Sequence, residues 1–143
     1  MLFAKRTNRL ERVVVVEDEP LLAFDTEHAL EDAGFHIVAT LDSADEAIAL
    51  IDGGTAIDLV LADVNLAQGS GIEVARIARA RRIAVLFVTG NCPGEARALA
   101  NGCLSKPYPQ RDLIHAIAAI DEVIHGEQPK RVPASLSLFD PAT

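Results

Sequence analysis

The chain has 143 residues, of which 50% are hydrophobic, and its formal net charge is −8. This length predicts one domain with a substantial core, and the negative charge disfavours nucleic-acid binding, because phosphate backbones attract basic surfaces. The spacing of Cys92 and Cys103 fits neither a zinc knuckle nor a CxxC redox pair, which favours reduced thiols. Residues 1–12 carry no secretory signal, and no segment approaches the ~20 apolar residues that cross a bilayer. The sequence therefore predicts a soluble, cytoplasmic protein without membrane contact.

Apolar runs and helical patterns alternate from the start of the chain. Residues 1–10 are predicted to be a loose lead-in, and the β-branched run 13–16 to be a buried strand. Three acidic residues then precede Pro20, which suits the first turn of a helix that Gly34 ends. A short strand is predicted at 35–39. The chain thus begins with a strand, a helix and a second strand.

The third predicted strand ends on a carboxylate. Ser43 and Glu46 form a capping-box signature that opens the helix before it. The continuously apolar run 59–62 is too short for an amphipathic helix and indicates a strand buried on both faces. Asp63 follows at the end of the strand where open α/β sheets bind ligands. The next helix begins too late for Asp63 to be its N-cap, so Asp63 is a candidate functional residue.

The alternation continues to the end of a five-stranded pattern. The further predicted elements are a helix at 71–81, a strand at 83–88, a short helix near 95–100, a strand at 103–105 and a helix between Pro109 and Gly126. The short helix is marginal, because about six residues fall far below the ~12–15 needed for independent stability. A (βα)5 alternation implies one doubly wound parallel sheet with right-handed crossovers. The tail, 126–143, is predicted to be extended or disordered.

Polar side chains follow four of the five predicted strands. Glu17 and Asp18 follow the first, Asp63 the third, Thr89 the fourth and Lys106 the fifth. In a sheet with strand order 2-1-3-4-5, the strands that end at these residues are neighbours. Carboxylates that repel one another favour a divalent cation, and hard oxygen ligands favour Mg²⁺. Magnesium, a lysine and a hydroxyl together form a phosphoryl-binding site.

These motifs resemble those of bacterial two-component receiver domains, which have a flavodoxin-like α/β fold. The matching segments are Glu17-Asp18-Glu19-Pro20, the lone Asp63 after an apolar strand, Thr89-Gly90 and Lys106-Pro107. Four motifs in the same order make the resemblance specific. It covers residues 11–125, which are therefore interpreted as a receiver domain between the lead-in and the tail.

The resemblance implies a role for each site residue. Asp63 would accept a phosphoryl group from a phosphohistidine on a sensor histidine kinase. Asp18 would bind Mg²⁺ directly, Glu17 largely through water, and Asn65 through its carbonyl, with Asp63 as a further ligand. Thr89 and Lys106 would contact the phosphoryl oxygens. The receiver would catalyse its own phosphorylation and dephosphorylation without being a conventional enzyme.

Two positions bear on how such a receiver signals. Receivers usually carry Tyr or Phe three residues before the lysine, whereas this chain has Cys103. The segment Phe87-Val88-Thr89-Gly90 resembles the FATG signature of atypical stand-alone receivers, which lack that aromatic switch and often pair with HWE-type kinases. In ordinary receivers the aromatic ring turns into space vacated by the threonine, and Cys103 is too small for this. We therefore expect segment 91–102 to transmit the signal.

Three functions remain to be weighed. The leading interpretation is a single-domain response regulator without an output domain, which binds an unknown downstream protein or drains phosphate from a kinase. A receiver-like interaction module that needs no phosphate is the alternative, and the intact set of acids, Thr89 and Lys106 argues against it. The third is a magnesium phosphohydrolase with an aspartyl nucleophile. Enzymes of this kind that resemble haloacid dehalogenases carry a second acid two residues after the nucleophile, where this chain has Asn65, which cannot donate a proton in that way. Taken singly, the acidic motif also suits a helix N-terminus.

Overall fold

A computed structural model describes residues 9–141 of the chain. Its strands are β1 Arg12–Val16, β2 His36–Leu41, β3 Leu59–Ala62, β4 Ala84–Thr89, β5 Gly102–Ser105 and β6 Leu136–Leu138. Its helices are α1 Pro20–Asp32, α2 Ala44–Asp52, α3 Gly71–Ala80, α4 Ala96–Leu99 and α5 Gln110–Ile124. The sheet order is β2-β1-β3-β4-β5-β6, with β1 to β5 parallel and β6 antiparallel to β5. The predicted (βα)5 fold with order 2-1-3-4-5 is confirmed, and β6 is added to it.

Local sequence signals set most of the helix ends. Pro20 occupies the first turn of α1, and Gly34 follows α1 with a φ of +92°, which glycine adopts without strain. The Ser43 side chain accepts a hydrogen bond from the Glu46 amide at 3.3 Å, as the predicted capping box requires. Ser70 caps α3 in the same manner through the Ile72 amide. The signals at Pro20, Gly34 and Ser43 were predicted from the sequence, and the cap at Ser70 was not.

The sheet separates two apolar cores. Val13 and Val15 of β1 pack into the core beneath α1 and α5, whereas Val14 and Val16 pack into the core beneath α2 and α3. All residues of β3 and β4 are buried, as expected for strands covered on both faces. Burying each Val, Leu or Ile contributes about 1.5–3 kcal/mol. Since both faces are covered by apolar cores, the polar side chains that belong to a site lie at the strand ends.

The two ends of the chain differ from the sequence-based expectation. The lead-in predicted for 1–10 lies outside the described residues except for Arg9 and Leu10, and Leu10 is buried. The tail is not wholly irregular, because residues 136–138 form β6. The Ser105 amide donates to the Ser135 carbonyl at 3.0 Å, and β6 then covers the outer edge of β5. Among residues 9–141, no helix is long and apolar enough to cross a membrane.

The cysteines also differ from the expectation of two reduced thiols. Cys92 and Cys103 form a disulfide, with their Cα atoms 6.4 Å apart. The sequence separation of 11 matches no local cysteine motif, and the pair forms because the chain after β4 passes beside β5. The short helix predicted near 95–100 is present but covers only Ala96–Leu99.

Candidate functional site

Three charged side chains meet where β1, β3 and β5 end. The Lys106 ammonium donates hydrogen bonds to Asp63 Oδ2 at 2.8 Å and to Glu17 Oε1 at 3.4 Å. It also lies 4.0 Å from Glu19 Oε1. Glu17 and Asp63 expose only 6% and 8% of their surface, so one lysine compensates two nearly buried carboxylates. Without such a partner, a buried carboxylate is strongly destabilising.

Burial and neighbouring charges shift the protonation of this cluster. Removal from solvent raises the pKa of Glu17 above its ordinary value, although the Glu19 amide and Lys106 act in the opposite direction. For Lys106, burial alone lowers the pKa, but the hydrogen bond to Asp63 and the charges of Glu17 and Asp63 outweigh it, so the pKa is raised. Lys106 is therefore a cation at neutral pH.

The backbone of Asp63 is held by its neighbours on both sides. The Asp63 amide donates to the Val16 carbonyl at 3.1 Å, and the Asn65 amide donates to Asp63 Oδ1 at 2.9 Å. Gly71 approaches so closely that a Cβ atom there would overlap the Asp63 carbonyl oxygen and lie 2.9 Å from Val64 Cα. Only glycine allows α3 to begin against this backbone.

Gly71 is a site residue that the sequence-based interpretation missed. It was identified there only as the first residue of a helix. The available signal was the second glycine in Gly69-Ser70-Gly71. The first, Gly69, is explained by turn geometry, because its φ is +89°. Gly71 therefore needs a separate explanation. A glycine pair in a loop directly after a candidate carboxylate indicates close backbone approach as well as turn geometry.

Asp18 lies apart from the cluster of Glu17, Asp63 and Lys106. Its carboxylate accepts a hydrogen bond from the amide of Ala67, in the loop that follows Asp63. In the described residues, 9–141, no three His, Cys, Asp or Glu side chains are arranged to hold a metal ion. The structure therefore brings together Glu17, Asp63 and Lys106 and leaves Asp18 on the neighbouring loop.

Thr89 stands at the end of β4 beside the lysine. It is fully buried, and its Oγ1 has no hydrogen-bond partner. Its carbonyl accepts a hydrogen bond from the Lys106 amide at 2.9 Å, which fixes the two strand ends against each other. A buried hydroxyl without a partner is uncommon in proteins, which makes Thr89 Oγ1 a candidate donor to a bound group.

The donor set fits a magnesium ion in atom type and charge. Glu17, Asp18 and Asp63 offer only hard oxygen ligands, and the Asn65 carbonyl would add another. Three acidic side chains share this end of the sheet with one lysine, and a divalent cation would offset the excess of acidic groups. To ligate the ion, Asp18 has to exchange its contact with the Ala67 amide for the metal.

The family of the chain follows from comparison with known proteins. A model of the response regulator receiver domain matches residues 13–118. This match covers most of the chain, including Glu17, Asp63, Thr89 and Lys106. The chain belongs to the response regulator receiver domain family.

Curated relatives of the chain are bacterial regulators. The transcriptional regulatory protein PdtaR of Mycobacterium tuberculosis is 34% identical over 112 residues, covering 74% of this chain and 54% of PdtaR. The phyllosphere-induced regulator PhyR of Methylorubrum extorquens is 30% identical over 79 residues, covering 54% of this chain and 30% of PhyR. The chain spans about half or less of the length of these relatives.

Solved structures agree with the fold. A response regulator receiver protein from Sinorhizobium medicae has a TM-score of 0.69 and 28% identity, covering 80% of this chain and 97% of that one. The receiver domain of a sensor histidine kinase from Pseudomonas aeruginosa has a TM-score of 0.68 and 22% identity, covering 78% and 97% of the two chains. That structure has a magnesium ion coordinated in its active-site cleft.

Proposed function

We propose that Asp63 accepts a phosphoryl group from a sensor histidine kinase in a magnesium-dependent reaction. The observation that carries this proposal is the contact of Lys106 Nζ with both Asp63 and Glu17 at the carboxyl end of the sheet. A nucleophilic carboxylate, a fixed cation and a buried hydroxyl without a partner on Thr89 form a site suited to a transferring phosphoryl group.

The contacts of Asp63 assign a task to each of its neighbours. A carboxylate oxygen of Asp63 forms the new bond to phosphorus, while the bond between phosphorus and the imidazole nitrogen breaks and the imidazole keeps the electron pair. The Asn65 amide orients Oδ1. Because phosphorylation removes the negative charge of the Asp63 carboxylate and brings negative phosphoryl oxygens, Lys106 moves from Oδ2 to a phosphoryl oxygen. Thr89 then donates its free hydroxyl to the same group.

Magnesium is proposed as the partner of the acidic residues. Glu17, Asp18, Asp63 and the Asn65 carbonyl would hold it, and the bound ion would spread the charge that develops on the phosphoryl oxygens. The relative from Pseudomonas aeruginosa with magnesium in its cleft supports this choice. The excess of acidic groups at this end of the sheet supports it independently.

The output is proposed to be binding of a downstream protein, with phosphate drainage from the kinase as the other route. The stand-alone character, the assignment to the atypical FATG-like group and the pairing with an HWE-type kinase remain predictions from the sequence. Among them, the absence of an aromatic residue at Cys103 bears on the mechanism. The signal has to leave Thr89 by a route other than a rotating ring.

Intact mass spectrometry tests the acceptor. Incubation with Mg²⁺ and acetyl phosphate should add about 80 Da to the wild type and nothing to Asp63→Asn. Asp52→Asn is a matched control, because Asp52 is an exposed residue at the end of α2 that pairs only with Arg81 in the described contacts. An equal gain in Asp63→Asn would refute the assignment. Partner binding that is unchanged in Asp63→Asn would favour the phosphate-independent interaction module.

A further inference from the structure

The disulfide lies beside the proposed phosphoryl site. Cys92 follows Thr89 by three residues, in the loop between β4 and α4. Cys103 lies on β5, where it is paired with Phe87 of β4 and Ser137 of β6. The disulfide therefore links the loop that follows Thr89 to β5, which is paired on both sides, with β4 and with β6.

The segment that the bond closes is weakly held at its first half. Its far end is fixed by Asn101, whose amide donates to the Val85 carbonyl at 2.8 Å and whose side chain accepts from the Val85 amide at 3.0 Å. Near Cys92, the described contacts are the disulfide, packing of Cys92 against the core beneath α2 and α3, two backbone hydrogen bonds in the turn from Pro93 to Arg97, and an exposed ion pair of Glu95 with Arg76 at 3.4 Å. Exposed ion pairs contribute little, so the disulfide is the main restraint there.

The two sulfurs differ in access. Cys103 is 1% exposed and lies within an apolar core, whereas Cys92 is only partly buried in a surface loop. A small thiol or disulfide in solution can therefore reach the sulfur of Cys92 but not that of Cys103. This asymmetry is what thiol–disulfide exchange in two steps requires, since one cysteine must react with the reagent and the other must displace it.

We propose that Cys92 and Cys103 form a reversible redox site whose substrate is a low-molecular-weight disulfide of the glutathione class. The Cys92 thiolate attacks the disulfide, forms a mixed disulfide and releases one thiolate, which takes up a proton. The Cys103 thiolate then attacks the sulfur of Cys92 and releases the second. Two protein thiols lose two electrons and two protons in total, and the small disulfide gains them as two thiols.

The oxidation state sets the freedom of residues 91–95. The closed disulfide restrains the loop after Thr89, and reduction leaves it with the weak contacts described above. A consequence for signalling rests on the proposed function. If Thr89 moves toward a phosphoryl group on Asp63, the oxidised tether resists the accompanying shift of the loop, so the reduced protein responds more strongly.

Two measurements on the full chain test the redox site. The protein is equilibrated in glutathione buffers of increasing oxidised fraction. Its free thiols are then alkylated with N-ethylmaleimide and counted by intact mass spectrometry. Both thiols should disappear together and return on reduction. Amides at 91–95 should exchange at least about tenfold faster in the reduced than in the oxidised protein, while those of β3 stay unchanged. Thiols that never pair, or equal exchange at 91–95, would overturn the proposal.

Single serine variants distinguish the two cysteines. In oxidised glutathione, Cys103→Ser should accumulate a mixed disulfide on Cys92, and Cys92→Ser should take up almost none, because Cys103 is buried. The opposite pattern would overturn the assigned order of attack. The acetyl phosphate reaction is run on both redox states of the wild type. No mass gain in either state refutes the proposed function, and the exchange data still decide the redox site.

Discussion

The two sides of the proposed site differ in how firmly the fold holds them. On the acceptor side, the loop after Asp63 is fixed by the Gly71 contact, the Ser70 cap and the bond between the Ala67 amide and Asp18. On the response side, Thr89 leads into a loop and a helix of four residues without a side-chain cap, and the Cys92–Cys103 disulfide is the main restraint on that loop. A receiver needs a reactive carboxylate that does not move and a neighbour that can. The comparison suggests that this chain divides the two requirements between two loops.

A substitution on the acceptor side should have the largest effect on stability and on phosphorylation. Gly71→Ala places a methyl group against the Asp63 carbonyl, so we expect a loss of about 1–3 kcal/mol in the free energy of unfolding, as for other overpacked sites. Phosphorylation should slow at least tenfold, because a small displacement of a reacting group is costly. Chemical denaturation and timed mass spectra measure the two effects.

Gly94→Ala is the matched control for this change. Gly94 lies on the response side, has open space around its Cα and has no positive φ. Its substitution should leave both stability and the phosphorylation rate nearly unchanged. Equal effects of the two alanines would show that the two loops do not differ as described.

Binding of Mg²⁺ to the acidic residues of the acceptor side should stabilise the fold, and this is the next largest effect. Mg²⁺ at a concentration of 100 times its dissociation constant would stabilise the fold by about 2.7 kcal/mol through mass action. The melting temperature should therefore rise with millimolar Mg²⁺, and Asp18→Ala should largely lose the rise. An identical rise in both proteins would point to a nonspecific ion effect. Differential scanning fluorimetry with matched ionic strength is sufficient.

The pH dependence of the metal-free protein provides a smaller effect. Because burial raises the pKa of Glu17 in the folded state, its contribution to stability is fully present below the unfolded value of about 4.5 and is lost as pH rises through the folded pKa. Glu17→Gln removes this loss. In EDTA, the variant should gain relative to the wild type between pH 4.5 and neutrality, by less than about 1 kcal/mol. A difference that is constant with pH would contradict this.

The response side should show the smallest change in the free energy of unfolding. That change should be confined to the segment after Thr89. With Mg²⁺ and beryllofluoride as a phosphoryl mimic, Thr89 and the Gly90 amide are expected to be drawn toward Asp63. Residues 91–102 of the reduced protein should then gain protection from amide exchange, because a marginal helix responds to a few contacts. If protection changes only in other helices, the signal does not leave by this segment.

The sequence predicted the parts of the site that depend on local chemistry. Asp63 was found because a buried apolar strand stops on a carboxylate, and Ser43 because a capping box has a fixed spacing. The same logic identified Lys106 from the end of a minimal strand. Placing Asp63 and Lys106 in one crevice needed only the topology of a doubly wound sheet.

The features that were missed depend on contacts between distant segments. The bond of Asp18 to the Ala67 amide and the Cys92–Cys103 disulfide each join segments whose relative position no local pattern encodes. The pairing of the tail with β5 was not predicted, for the same reason. The prolines of the tail indicated irregular structure, and the pairing of residues 136–138 becomes favourable only once β5 exists as an edge. The approach of Gly71 to Asp63 differs, because the nearby glycine pair was a local signal that the interpretation did not use.

The sixth strand makes residues beyond 125 part of the folded unit, and this matters when the chain is shortened for expression. A chain shortened at residue 125, where the receiver motifs stop, would lose the pairing of Leu136 and Leu138 with β5. The amide and carbonyl groups of Cys103 and the amide of Ser105 would then face solvent and could recruit the same edge of another molecule. Expression vectors, affinity tags and fusion partners should therefore leave the chain intact to at least Phe139, whose amide still bonds to the Asn101 carbonyl.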